Sequence, residues 1–250
     1  MSIIIPIAKT EIDNKFSSQR FGILGLSGIG KSEFLSQEEN AIFINTEKGL
    51  NGVRVFQIEV KSWDDVREAY GYIATCFKDN KFPTKDNKPF SLVVVDTADR
   101  LIDLATEETV LRAKDFYKKI EINTISDIPN GSGWFKQREM VMGFFHKLEL
   151  FPCAIAYIAH ADIKRIKDIN AEFDKSTISI GGQLGDSLLA WVDHILNIEA
   201  HRIGDRIQRI CYTQPTQSRE AKSRGGMIPN AMKWGDNTAE NYKAFRALFK

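Results

Sequence analysis

Two hydrophobic periodicities take turns along the chain. Short runs of β-branched and aromatic residues are separated by longer segments with apolar residues at helical spacing. That alternation predicts a mostly parallel sheet joined by crossover helices. Strands are expected at Phe21–Leu26, Ala41–Asn45, Val55–Val60 and Ser91–Asp96. The last is apolar up to its closing aspartate, as suits a central strand covered on both faces. Ser62–Phe77 predicts a helix, with Ser62 as N-cap and Val66, Ala69, Tyr70, Ile73 and Phe77 on one face. Lys78–Pro89 is polar, carries two prolines, and reads as a loop.

Further along, a helix is expected over Ala98–Lys114, a loop over Glu121–Gly133, a helix over Trp134–Leu150 and a buried strand over Cys153–His160. Ala161–Gly182 has little periodicity and ends on a glycine pair. It is too long for an ordinary connection, so a functional or mobile loop is expected. Gln183–Val192 reads as a helix. Ile195–Ile203 and Arg206–Thr213 read as an antiparallel hairpin turned at Gly204-Asp205. A glycine-rich basic stretch, Arg219–Gly226, precedes a final short helix near Ala239–Phe249. No repeat, low-complexity tract or linker breaks the pattern, so one α/β domain over 1–250 is expected.

Composition adds exclusions. With 43% hydrophobic and 27% charged residues the chain is ordinary for a globular protein. Its formal net charge of +1 gives no overall basic field, so any polyanion site must come from local clustering. Cys76, Cys153 and Cys211 lie far apart without C-x-x-C spacing, which points to buried thiols and a reducing cytosol. Met1–Lys15 has a short apolar run but neither a basic leader region nor a small-residue cleavage site. No apolar stretch is long enough to span a bilayer, so a soluble, cytoplasmic chain without a membrane partner is expected.

The chemistry begins at Gly25-Leu26-Ser27-Gly28-Ile29-Gly30-Lys31-Ser32, which matches G-x-x-x-x-G-K-[ST] between a strand and a helix. Glycines let the backbone wrap phosphates with its N–H groups pointing inward, and the helix start favours an anion. Lys31 is expected to reach the β- and γ-phosphates of ATP, and Ser32 to ligate Mg²⁺. Asp96, closing a neighbouring buried strand, is expected to hold the magnesium shell. Asp99 is read as a cap of the helix that follows rather than as a metal ligand.

Further segments resemble the RecA-type recombinase core, and in particular small phage nucleotide-binding proteins of the RecA/RadA-like single-strand annealing kind. Asn45-Thr46-Glu47-Lys48-Gly49 is similar to the DTEGG segment of the RadA branch, with Asn45 in place of aspartate. The resemblance makes Glu47 the general base; Asp64, near the start of the next helix, is the alternative. From Cys153 to Ala200 the order of strand, polar switch residue, loop, glycine pair, helix and strand resembles RecA, with His160 at the switch. Ala161–Gln183 then corresponds to a DNA-binding loop, with Lys164, Arg165 and Lys167 toward phosphate and Phe173 toward bases, although its charges balance. Trp134 corresponds to a first DNA loop, as a stacking platform or as an anchor of its helix. Ala221-Lys222-Ser223-Arg224-Gly225-Gly226 resembles the KNRFG motif, whose cations complete a neighbouring subunit's site.

The resemblance covers about residues 21–229. It implies a RecA-like P-loop core with a C-terminal antiparallel hairpin, ATP and Mg²⁺ as cofactors, and a head-to-tail ring or filament. Its implied function is a DNA-stimulated ATPase that binds single-stranded DNA, with a single-strand-binding protein as a further partner, and promotes annealing or strand exchange. A phage-encoded chain would act in the host bacterial cytoplasm. Two alternatives stand beside it: an ATP-gated switch or loader for another replication protein, and a P-loop kinase acting on a small acceptor.

Overall fold

The apolar run after Gln19 forms the first strand, β1 (Arg20–Gly25), and the phosphate-type loop leads from it into a short helix, α1 (Lys31–Leu35). The computed structural model describes residues 13–168, 171–235 and 237–250. Most of the N-terminal segment read above for a leader therefore lies outside the described residues. Next come β2 (Ala41–Asn45), β3 (Phe56–Glu59), α2 (Trp63–Asp79), β4 (Leu92–Asp96) and α3 (Ala98–Phe116). The second half contains α4 (Ser132–Leu148), β5 (Ala154–Asp168), β6 (Ala171–Ile178), α5 (Gly182–Trp191), β7 (His194–Ile203) and β8 (Arg206–Tyr212). It closes with β9 (Lys222–Ser223), β10 (Ala231–Trp234) and α6 (Thr238–Arg246).

Among the described residues these strands make one ten-stranded sheet, with the order β10-β8-β7-β1-β5-β4-β2-β3. β6 adds to β5, and β9 adds to β7. The path from β7 to β3 is parallel, while β8 and β10 run antiparallel at the edge. This is the expected mostly parallel P-loop NTPase sheet flanked by helices, with its antiparallel pair. One expectation changes: β4 does not neighbour β1, because β5 pairs with both and lies between them.

Period-two alternation divides the sheet's apolar residues between two cores. Ile42, Ile44, Val93, Val95, Ile155 and Tyr157 face a layer that includes Val66 and Ile73 of α2, Leu101 and Leu104 of α3, and Phe145 of α4. Phe43, Leu92, Val94, Ile158 and Ile23 face the other layer, with Phe34 of α1 and Phe245 of α6. Each position of β4 is buried because both faces are covered. The capping box predicted in part from Ser62 is complete: Ser62 accepts from the Asp65 N–H, and Asp65 accepts from the Ser62 N–H. Cys76, Cys153 and Cys211 are buried and free.

Two expectations fail locally. Ala161–Gly182 is not a loop. β5 runs on through Asp168, and β6 returns antiparallel to it in the register Ala161↔Ile178 to Asp168↔Ala171. One face of the hairpin, with Lys164, Ile166, Phe173 and Lys175, is half-buried and the other exposed. Lysines interrupt the half-buried face, so hydrophobic alternation does not mark it as strand. Nor does Trp134 lie in a loop. Pro129–Gly131 forms a 3₁₀ turn, Gly131 (φ 64°) is the N-cap of α4, and Trp134 sits in that helix's first turn. At 52% exposure it does not anchor the helix to the core either.

Candidate nucleotide site

The carboxyl ends of β1, β4 and β2 meet beside His160 of β5, where a parallel α/β sheet places its ligand crevice. Gly28 (φ 73°) and Gly30 (φ 94°) bend the loop after β1 through the left-handed region, which side chains other than glycine rarely adopt. Gly30 is the N-cap of α1, so Lys31 and Ser32 open its first turn. Lys31 is buried, and its Nζ donates to the carbonyls of Gly25 and Leu26, each at 2.8 Å. Burial depresses its pKa below that of an ordinary lysine, although Asp96, Asp99 and Glu47 act in the opposite direction.

Ser32 Oγ donates to Asp96 Oδ2 at 2.6 Å. The carboxyl of Asp96 is pushed above the usual aspartate range, chiefly by burial and further by Glu47, against the Ser32 hydrogen bond and the charges of Lys31 and His160. A hydroxyl and a buried carboxylate short of positive charge are hard oxygen donors, and they fit Mg²⁺ that takes its other ligands from phosphate and water. Bound there, the ion would draw charge from the phosphate oxygens.

Glu47 stands beside this pair. Its Oε1 accepts from Thr97 Oγ1 at 2.5 Å, and Thr97 directly follows Asp96. Thr46 fastens the two strand ends together. Its hydroxyl donates to the Thr97 carbonyl at 3.0 Å and accepts from the Thr97 N–H at 2.7 Å. Asn45 explains its own departure from the DTEGG pattern. Its Oδ1 accepts from the N–H of Lys48, turning the loop, while its Nδ2 donates to Gln57, which an aspartate carboxylate could not do. Asp64, the alternative base, is exposed in the first turn of α2, where it pairs with Arg67.

His160 pairs with Gly25 across β5 and β1, so the switch position lies directly between the phosphate loop and the Asp96 strand. Asp99 is tied to it: Asp99 Oδ2 accepts from the His160 N–H at 2.9 Å and lies 3.4 Å from His160 Nδ1. The other oxygen of Asp99 accepts from Ser179 Oγ. Asp99 therefore does not cap α3. Thr97 does, accepting from the Arg100 N–H at 3.4 Å. Behind this link opens a cavity of about 780 Å³ lined by Asp99, Trp134, Phe135, Arg138, Gly181 and Gly182, among others.

The remaining residues singled out in the sequence lie elsewhere. Lys164 Nζ turns inward to the carbonyls of Ile178 and Ile180. Arg165 lies 3.7 Å from both Glu172 and Asp174, and Lys167 lies 3.1 Å from Glu172, so the hairpin compensates its own charge. Lys222 and Arg224 are at the far end of the strands. β9 pairs Lys222 with Ile195, whereas the phosphate loop leaves β1 at Gly25 beside Ile198, roughly 10 Å further along. Lys222 Nζ caps α5 through the carbonyls of Leu189, Ala190 and Val192, and Arg224 pairs with Asp193 at 2.8 Å. Neither cation enters its own chain's nucleotide site.

Sequence reasoning missed two residues near the site. Thr97 carries a signal, being a Ser/Thr at a strand-to-helix junction. Arg209 on β8 carries none beyond a generally basic stretch; its guanidinium donates to the Ile29 carbonyl of the phosphate loop at 3.2 Å. Among the described residues, no helix is long and apolar enough to cross a membrane, and no cluster of three or more His, Cys, Asp or Glu side chains is suited to a metal.

No curated protein matches the chain. Residues 17–225 match a family described as an AAA domain, a span that takes in the phosphate loop, Asp96, His160 and Lys222. With a P-loop between β1 and α1 and a buried acidic strand end hydrogen-bonded to its serine, the chain belongs to the AAA-domain family of P-loop ATPases.

Proposed function

We propose that the chain is a DNA recombination ATPase of the phage RecA-like type, which binds single-stranded DNA as an oligomer and promotes annealing or strand exchange. The observation that carries this reading is the place of His160. It lies opposite Gly25 on one side and is joined through Asp99 to Ser179, beside the Gly181-Gly182 pair and the cavity that contains Trp134. Nucleotide state at the loop and occupancy of that cavity thus share one hydrogen-bonded connection, as an ATP-dependent DNA binder requires.

In this reading Lys31 binds the β- and γ-phosphates, and Ser32 and Asp96 hold Mg²⁺. Glu47, oriented by Thr97, takes the proton of the attacking water. Lys222 and Arg224 serve a neighbouring copy, so the working form is a head-to-tail ring or filament in the cytoplasm. Trp134 supplies a stacking surface, and Arg165 and Lys167 on the exposed face of the hairpin supply its contacts to phosphate, with Lys164 joining them if it leaves the Ile178 and Ile180 carbonyls. A single-strand-binding protein is the expected further partner. One observation favours a second reading, an ATP-gated loader for another replication protein: Arg165 and Lys167 are already paired with Glu172 and Asp174, which leaves the hairpin little net attraction for phosphate.

The test is ATP turnover with and without single-stranded DNA, with particle size followed in parallel. Faster release of free phosphate together with larger particles is expected. A response of neither quantity to DNA would favour the loader, and phosphate appearing on a small acceptor would make the chain a kinase.

A further inference from the structure

The outer wall of the phosphate loop is held by a segment that lies largely beyond the matched residues 17–225. In a phosphate-cradling loop the N–H groups turn inward, so carbonyls turn outward and need partners of their own. The carbonyl of Ile29 finds one in Arg209, which reaches it from β8 at 3.2 Å. Two glycines make room for that arginine. A Cβ built on Gly30 would stand 3.2 Å from an Arg209 nitrogen and 3.7 Å from Trp234 Nε1. A Cβ on Gly235 would stand 2.6 Å from the guanidinium carbon. The guanidinium is therefore sandwiched between the loop and the backbone just after β10.

Two further contacts join the same segments. Trp234 stacks on Phe34 of α1, with centroids 3.8 Å apart and planes at 24°. Thr238 Oγ1 donates to Glu33 at 3.2 Å. Trp234, Gly235 and Thr238 thus hold Arg209, Phe34 and Glu33 from outside the loop.

We propose that Arg209 is a positioning residue for nucleotide binding, seated by Trp234 and Gly235, and that it braces the phosphate loop in its binding geometry by holding the Ile29 carbonyl outward. The proposal rests on ATP binding at Gly25–Ser32. Because a brace and its ligand are linked reciprocally, ATP also orders the C-terminal segment that carries Trp234.

Titration of ATP with Mg²⁺ into the wild-type chain and the Arg209→Ala, Arg209→Lys and Gly235→Ala variants tests it, with thermal unfolding measured without nucleotide. Arg209→Ala and Gly235→Ala are each expected to weaken ATP binding by about fivefold or more. Arg209→Lys recovers part of the loss, since one donor to Ile29 remains but the flat packing on Gly235 does not. The Gly235 variant keeps the positive charge, so a matching loss separates positioning of the loop from simple attraction of phosphate. Amide exchange over residues 231–246 of the wild-type chain should slow on adding ATP. Binding by Arg209→Ala within twofold of wild type overturns the proposal, as does unchanged exchange over 231–246 where the variants fail to fold. Failure of the wild-type chain to bind ATP overturns the nucleotide reading itself, and that outcome is distinct.

Discussion

The two ends of this sheet treat buried charge in opposite ways. At the carboxyl end, burial dominates. Lys31 is depressed and Asp96 raised, so each is pressed toward its neutral form. At the amino end, pairing dominates. Arg20 is raised, first by its hydrogen bond to Asp193. Burial works to raise Asp193 and Glu149, yet the hydrogen bonds and charge of Arg20 hold both below their usual range. Arg20 reaches Asp193 at 2.9 Å and also pairs with Glu149, and Arg224 joins from β9. A network that satisfies its own charges stabilises a fold, whereas a site whose charges remain under tension has free energy in reserve for a ligand.

That contrast is broken most directly by one substitution made at both ends. Asp193→Asn leaves the Arg20 guanidinium with Glu149 as its remaining counter-charge, and is expected to lower unfolding stability by about 2 kcal/mol in urea titrations. ATP affinity should hold within twofold. Asp96→Asn removes the carboxylate that would hold Mg²⁺, so turnover should fall by about a hundredfold or more. Its stability without nucleotide should hold or rise, because a poorly compensated buried charge has gone. A loss of stability at both positions would erase the distinction.

A pH series sharpens it. The folded-state pKa of Asp96 lies above its ordinary value of 3.8, so folding favours the protonated form. Wild-type stability therefore gains as pH falls through the raised value, and the gain is complete near the ordinary one. The Tm advantage of Asp96→Asn at neutral pH, about 2 °C, should accordingly shrink on acidification. At the amino end the sign reverses: Asp193, held low, contributes stability at neutral pH that is lost as pH falls through its depressed value.

The smallest effect is expected at Lys222. Its Nζ caps α5, so Lys222→Met should reduce stability by about 0.5 kcal/mol and leave ATP affinity of the single chain unchanged. Turnover at high protein concentration is the sharper measurement. A fall there, absent at low concentration, is what service to a neighbouring copy predicts.

Much of the phosphate end was readable from residue order because its signals are local. Glycines, Lys31 and Ser32 are contiguous, and Asp96 closes an unmistakable apolar strand. The antiparallel hairpin turned at Gly204-Asp205 announced itself through its turn chemistry. What escaped depends on pairing across distance. That β5 lies between β1 and β4 is a matter of sheet order, which hydrophobic pattern does not encode. The half-buried face of the β5–β6 hairpin carries Lys164 and Lys175 between its apolar residues, so it does not read as an alternating strand. β10 is only four residues long. Asp99 looked like a cap because its position suits one, and only the packed structure brings His160 and Ser179 to it. Arg209 became visible only once Gly30 and Gly235 were seen to flank it.

β5 is continuous for 15 residues, from the middle of the sheet to the far end of the hairpin. His160 therefore stands on the same stiff rod as Asp168, roughly 26 Å away at strand spacing. Such a rod converts angle into travel: a tilt of about 5° at His160 carries the far end by about 2 Å at that span. On the function proposed above, a γ-phosphate beside His160 would be a small object whose presence or loss such a lever enlarges at the opposite end of the hairpin.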